Sequence, residues 1–135
     1  MLELVKSLCS VLSNSSAIQS QGVTGIFEEL APLHQATPYI IITEQSSLDE
    51  YSHDRRAATE YVYSIKCVDD SRSPIRSRTV SESIDSALTL QPLTVSGYSA
   101  FFVRRTSQFS YTEGKDNQFY RHRGGLYAMM LSPDN

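Results

Sequence analysis

No stretch of this 135-residue sequence approaches the run of about 20 apolar residues that a membrane helix requires, and the segment YIII at Tyr39–Ile42 is far too short for one. Cysteine is nearly lacking. Cys9 and Cys67 are the only two, they fall in different expected elements, and neither belongs to a CxxC pair or has a histidine at metal-ligand spacing. Both read as small buried hydrophobes. The three histidines, His34, His53 and His122, are as dispersed, with no Cys, Asp or Glu nearby in a metal pattern, and read as surface or hydrogen-bonded polar side chains. No GxSxG elbow singles out a serine for activation by a base. Gly124-Gly125 lies inside an expected strand without a phosphate-loop pattern, so a bulge or a close backbone contact is favoured over nucleotide binding. The sequence therefore offers no catalytic set, no metal site and no cofactor site. Excess positive charge is lacking too: 12 Lys+Arg against 15 Asp+Glu give a net charge of −3 and a pI near 5.5, which argues against a dedicated nucleic-acid binder. The first residues, MLELVKSLCSVLSNSS, carry Glu3 and a single lysine, unlike the basic start of a secretory signal, and read as a first helix.

What is present is the composition of a globular domain, 40% hydrophobic with eight Tyr and five Phe, and the length fits one domain over residues 1–135. Leu4, Val5, Leu8, Cys9 and Leu12 recur at helical spacing and predict an amphipathic helix over Leu2–Leu12. A short extended segment follows around Gly25–Glu28, and Pro32 and Pro38 bracket a loop. PYIIITEQ reads as a buried strand up to Glu44. The next segment, SSLDEYSHDRRAA, is polar on every face and reads as a solvated connection or a long hairpin tip without a core role. In ATEYVYSIKCVDD, Tyr61, Tyr63, Ile65 and Cys67 share one face of a strand, while Glu60, Ser64 and Lys66 make the other a wet one. Ser73-Pro74 then starts a second helix with Val80, Ile84, Ala87 and Leu88 on one side, and Pro92 closes it.

Two aromatic runs, from Tyr98 and from Gln118, are joined by GKDN at Gly114–Asn117, a hairpin signal. Phe101, Val103, Phe109 and Tyr111 share parity in the first arm, and Leu126, Ala128 and Met130 share parity with Tyr120 and His122 in the second. The predicted class is α+β: an antiparallel sheet of about four strands plus a short strand, with two helices packed on one face and a long C-terminal hairpin.

Asp69-Asp70, at a strand end before a helix, read as turn and helix-start stabilisers rather than as a catalytic carboxylate pair. The arginines are the conspicuous charged groups. If the last two strands pair, Arg104 and Arg105 become neighbours of Arg121 and Arg123, a crowding that a partner's carboxylate surface would relieve. With Asp49, Glu50, Arg55 and Arg56 of the polar connection, these residues form the expected interface set. The alternative is intrachain pairing with Glu44, Glu60 and Glu113.

The stretch GIFEELAPLHQATPYIIITEQ resembles the signature of the tail completion or tail terminator family of long-tailed bacteriophages, the tail-to-head joining proteins. Ile26-Phe27 stand for its short strand, Ala31-Pro32 for its loop and Pro38-Tyr39-Ile40-Ile41 for the following strand; Glu28 stands where the family has a proline. The downstream order of strand, helix ending in SIDSAL and basic-aromatic strand pair is similar as well, so the resemblance spans essentially the whole chain. It implies a non-enzymatic virion protein of the tail and neck, made in the host cytoplasm. There it would form a homo-oligomeric, typically hexameric ring on the tail tube protein, stop tube growth and join a neck or head-completion protein. Genomic DNA would pass through the ring without specific binding, and no membrane would be involved. Such a ring needs wedges with two different complementary sides, which unpaired sheet edges and charged loops can supply. Two other readings compete: a nucleic-acid adaptor using the hairpin arginines with Phe109, Tyr111, Phe119 and Tyr120 as stacking groups, and a small ligand-binding α+β module or enzyme, which would need a polar pocket.

Overall fold

A computed structural model describes residues 1–52, 55–89 and 92–134. His53, one of the three histidines considered above, lies outside the described residues. The element order is α1 (Leu2–Ser13), α2 (Ser16–Gln19), β1 (Ile26–Glu28), β2 (Tyr39–Ser52), β3 (Arg55–Asp69), α3 (Ile75–Thr89), β4 (Tyr98–Lys115) and β5 (Gln118–Pro133). The strands form one mixed sheet in the order β1-β2-β3-β5-β4, in which β1 runs parallel to β2 and every other pair is antiparallel. The fold is α+β, with the C-terminal hairpin as expected and the short strand added in parallel at one edge.

Local chemistry explains the elements. The α1 stripe buries Leu4, Val5, Leu8 and Leu12, while Cys9 is half-buried. Ser15 caps α2, its Oγ accepting from Ile18 N at 3.3 Å. Ser73 Oγ accepts from Ile75 N at 3.3 Å as α3 begins, and α3 buries Val80, Ile84 and Leu88. The β4–β5 turn is closed by Asp116 (φ 52°) and Asn117 (φ 65°), so both central residues are left-handed, the requirement of a tight hairpin turn that Asp and Asn tolerate.

The core lies between the helices and one sheet face. Ile40 and Ile42 of β2, Tyr63, Ile65 and Cys67 of β3, and Tyr127, Met129 and Leu131 of β5 meet Leu4, Leu8, Val80, Ile84 and Leu88 there. Burial of this face is the main stabilising term. The register fixes the face of each row, and two expectations change. The Leu126/Ala128/Met130 row belongs to the opposite, helix-free face, since Tyr127 pairs with Tyr63 and Met129 with Tyr61. Shifts between Ala100 and Val103 and between Arg105 and Ser107 break the parity of β4, so Val103 packs on the core while Phe109 and Tyr111 do not. The helix-free face is also drier than expected, because Ser64, Val68, His122 and Ala128 on it are buried.

The segment after Glu44 is neither loop nor core. β2 continues to Ser52 and pairs with β3 from Arg55, forming a long ribbon whose β2 strand is exposed throughout. Thr59 Oγ1 donates to Asp49 Oδ1 at 2.8 Å across it.

Candidate assembly surfaces

β1 covers β2 only at Ile40–Ile42, so the β2 edge from Thr43 to Ser52 has no strand beside it. On the far side of the sheet β4 is the other edge, open along Tyr98–Lys115. These edges differ in charge: the first carries Glu44, Asp49 and Glu50 and no basic residue, and the second carries Arg104 and Arg105 near its middle. Large apolar side chains stand in water beside them, including Tyr51 (67% exposed) and Phe101 (60%). Among the described residues Leu30 and Leu33, in the loop after β1, are the most exposed such side chains at 82% and 88%. Unpaired edges with apolar side chains are the surfaces a protein usually covers.

The structure does not gather the eight expected interface residues into one patch. Asp49 is paired within the ribbon with Arg56, at 3.8 Å, and Arg55 and Glu50 are exposed. Arg104 is exposed, its guanidinium 5.1 Å from the Phe102 ring centre. Arg105 turns inward, 3.7 Å from Asp85 of α3, a carboxylate that also accepts from Tyr127 Oη at 3.3 Å. Arg121 donates to the carbonyls of Ser71 and Arg72 at 3.2 and 2.9 Å, clamping the connection between β3 and α3. Arg123 is half-buried opposite Ser110. The expected crowding is corrected by the register: Arg104 and Arg105 lie opposite Ala128 and Tyr127, whereas Arg121 and Arg123 lie opposite Thr112 and Ser110, further along the hairpin. Among the described residues the carboxylates that pair with arginines are Asp49, Asp69 and Asp85, not Glu44, Glu60 or Glu113. These aspartates come from other elements, and spacing along the chain gives no signal for them. Asp70 accepts from Thr37 Oγ1 at 2.6 Å, in keeping with a role in the turn.

On the helix-free face a cleft of about 470 Å³ opens between the loop 29–35 and the strands, lined by Tyr39, Lys66, Glu113, Tyr120 and His122. His122 differs from its sequence reading. It is buried, stacks on Tyr111 at 4.5 Å with the rings 6° from parallel, and has no hydrogen bond at either ring nitrogen. Its Nε2 lies 3.4 Å from Glu113 Oε1. Burial lowers its pKa below 6.5, the nearby Lys66 lowers it further, and Glu113 opposes both. The unfolded chain therefore binds a proton on His122 at a higher pH than the folded one. The stability of the neutral form is present above about pH 6.5 and is lost as the pH falls below it. Thermal melts between pH 7.5 and 5 should show this loss, and His122→Phe, which keeps the stack, should flatten it. An equal pH slope in both proteins would rule out His122 as its source.

Other reactive groups are quiet. Burial pushes the Cys67 thiol up to about 12 and raises that of Cys9, so neither is a ready thiolate. Among the described residues no group of three His, Cys, Asp or Glu side chains is placed to hold a metal ion, and no helix is long and apolar enough to cross a membrane. Of the hairpin aromatics, Tyr111 stacks between Phe109 and His122 rather than standing as a free platform. A serine-rich groove between α1, α2 and α3, lined by Ser10, Ser16, Ser83 and Ser86, was not legible in the sequence.

Comparison with known proteins agrees with this architecture. A chain of the solved "Virion of native gene transfer agent (GTA) particle" superposes with a TM-score of 0.73 over 94% of this chain and 93% of that one, at 11% identity. At that identity the likeness is one of fold. No curated protein sequence matches the chain. The sequence model of the family described as "Tail completion protein gp17" matches residues 6–126, and the chain, a structural protein of the phage tail, therefore belongs to that family.

Proposed function

We propose that the protein works as a closed ring at the head-proximal end of the tail tube, where it ends tube growth and presents the surface that the neck joins. The observation that carries this reading is the pair of long, open sheet edges on opposite sides of one subunit, unlike in charge. A subunit with two different lateral sides associates head to tail, and such association closes into a ring when the rotation allows. Family membership supplies the setting. The partners are further copies of the chain, hexameric in number, the tail tube protein below and a neck or head-completion protein above, with the genome passing through the lumen unread. The work is done by surfaces and involves no turnover.

Glu50, Arg55, Arg104 and Arg123 are the leading candidate contact residues, since Arg105 and Arg121 already have intrachain partners and Asp49 and Arg56 pair with each other. Native mass measurement should give a sixfold multiple of the 15.1 kDa subunit, and electron microscopy of tails should place that ring at the head-proximal end. Tails assembled without the protein should lack a defined end and fail to join heads. Joined particles of normal tail length in its absence would overturn the reading.

A further inference from the structure

In sheet order, β2 runs opposite to β3, β3 opposite to β5, and β5 opposite to β4, so the edges β2 and β4 run in opposite directions. Rotation about an axis roughly along the strands brings β4 of one copy beside β2 of the next, and the two are then antiparallel. That arrangement satisfies both rows of free backbone groups and continues a single sheet from subunit to subunit. β1 ends at Glu28, opposite Ile42, so the stretch of β2 open to an incoming β4 starts at Thr43.

Charge selects which edges meet. Glu50 and Arg104 have no salt-bridge partner among the described residues, whereas Asp49 is paired with Arg56 and Glu44 lies 3.8 Å from the Met1 amino group. The register also places Glu50 and Arg104 on the same sheet face: Glu50 pairs with Ala58 and Arg104 with Ala128, and both alanines are in the helix-free rows. Across one subunit, Ser46, Val62, Ala128 and Arg104 share a level. Arg104 therefore reaches Glu50 when the neighbour slides along β2 from Ser46 towards Ser52. A slide the other way is blocked, because β1 occupies Ile40–Ile42. Strand tilt in a closed sheet produces a stagger of this kind.

We infer that neighbouring copies join by antiparallel pairing of the β2 edge of one with the β4 edge of the next, Glu50 lying against Arg104. The inference rests on the ring reading and names its lateral contact. Like charges placed together at such a contact oppose association, and opposite charges fix its register.

The test is a charge swap on the full chain, read by native mass and by imaging of tails. Glu50→Arg and Arg104→Glu alone should each weaken ring assembly by about tenfold or more, and the double swap should restore it. Glu50→Cys with Arg104→Cys, under oxidation, should give a cross-linked ladder ending at the closed ring, with Arg104→Cys alone giving none. A cross-linked dimer from Arg104→Cys alone would indicate β4-to-β4 pairing and overturn the inference. Single swaps that remain folded and assemble as wild type would overturn it while leaving the ring intact. Wild-type tails without any ring would instead remove the ring reading, and this contact with it.

Discussion

Arg76→Met is expected to destabilise the protein by about 3 kcal/mol, because it leaves the carboxylate of Asp69 alone in the interior. Asp69 ends β3 with 0% exposure, and Arg76, in the first turn of α3, donates to it through Nη2 at 2.5 Å and through Nε at 3.3 Å. Removing one partner of a buried pair costs roughly 3–5 kcal/mol, and the lower end applies here because the Arg76 side chain is 37% exposed and water partly replaces it. The fork also ties the start of α3 to the end of the strand before it, across the short connection that Arg121 clamps from β5. Urea unfolding of Arg76→Met measures the loss. Asp69→Leu with Arg76→Met should recover most of it, since an apolar pair of similar volume has no charge to desolvate. A loss below about 1 kcal/mol in the single variant would mean that water already solvates Asp69.

Local signals in the sequence were readable where the structure is local. The stripes of α1 and α3, the Ser73-Pro74 start and the GKDN turn each depend on residues a few positions apart, and each appears where the sequence put it. The family, too, was recognisable from the loop between Ile26 and Ile41, and its model matches most of the chain. Face assignments in β4 were not readable, because the two register shifts there are set by the strand alongside and by the core behind it. The ribbon beyond Glu44 was ambiguous for a related reason: with both faces in solvent, its residues need no apolar alternation. Arginine partners failed most clearly. Asp85 lies on a helix and Arg105 on an edge strand, and only the packing of α3 across the sheet brings them together. His122 looked polar and exposed because the covering Tyr111 belongs to the opposite hairpin arm. The open edges on which the proposed interface rests are legible only from the topology and not from the residue types.

Gly124→Ala is expected to be the most damaging single-methyl change in the chain, costing about 3 kcal/mol or more. Gly124 lies in β5 between Lys66 of β3 and Phe109 of β4. A Cβ there would overlap the carbonyl oxygen of Ile65 and come within 2.6 Å of Lys66 Cα. Those atoms are backbone, held in the ladder on which the core is built, so no side-chain rotation clears them. Overpacking a core by a methylene usually costs about 1–3 kcal/mol through side-chain shifts, and the upper end is exceeded when the main chain itself must part. The close contact expected from the Gly124-Gly125 pair is therefore the reason for glycine here. Gly114→Ala is the control, since its nearest neighbour, the Gln118 carbonyl oxygen, is 3.8 Å away and the change should stay within about 0.5 kcal/mol. Thermal and urea unfolding of the two variants side by side decides the matter. If Gly124→Ala proves as stable as Gly114→Ala, β3 and β5 can separate at little cost. The sheet would then be too soft to hold its two edges at the fixed angle that the proposed ring requires.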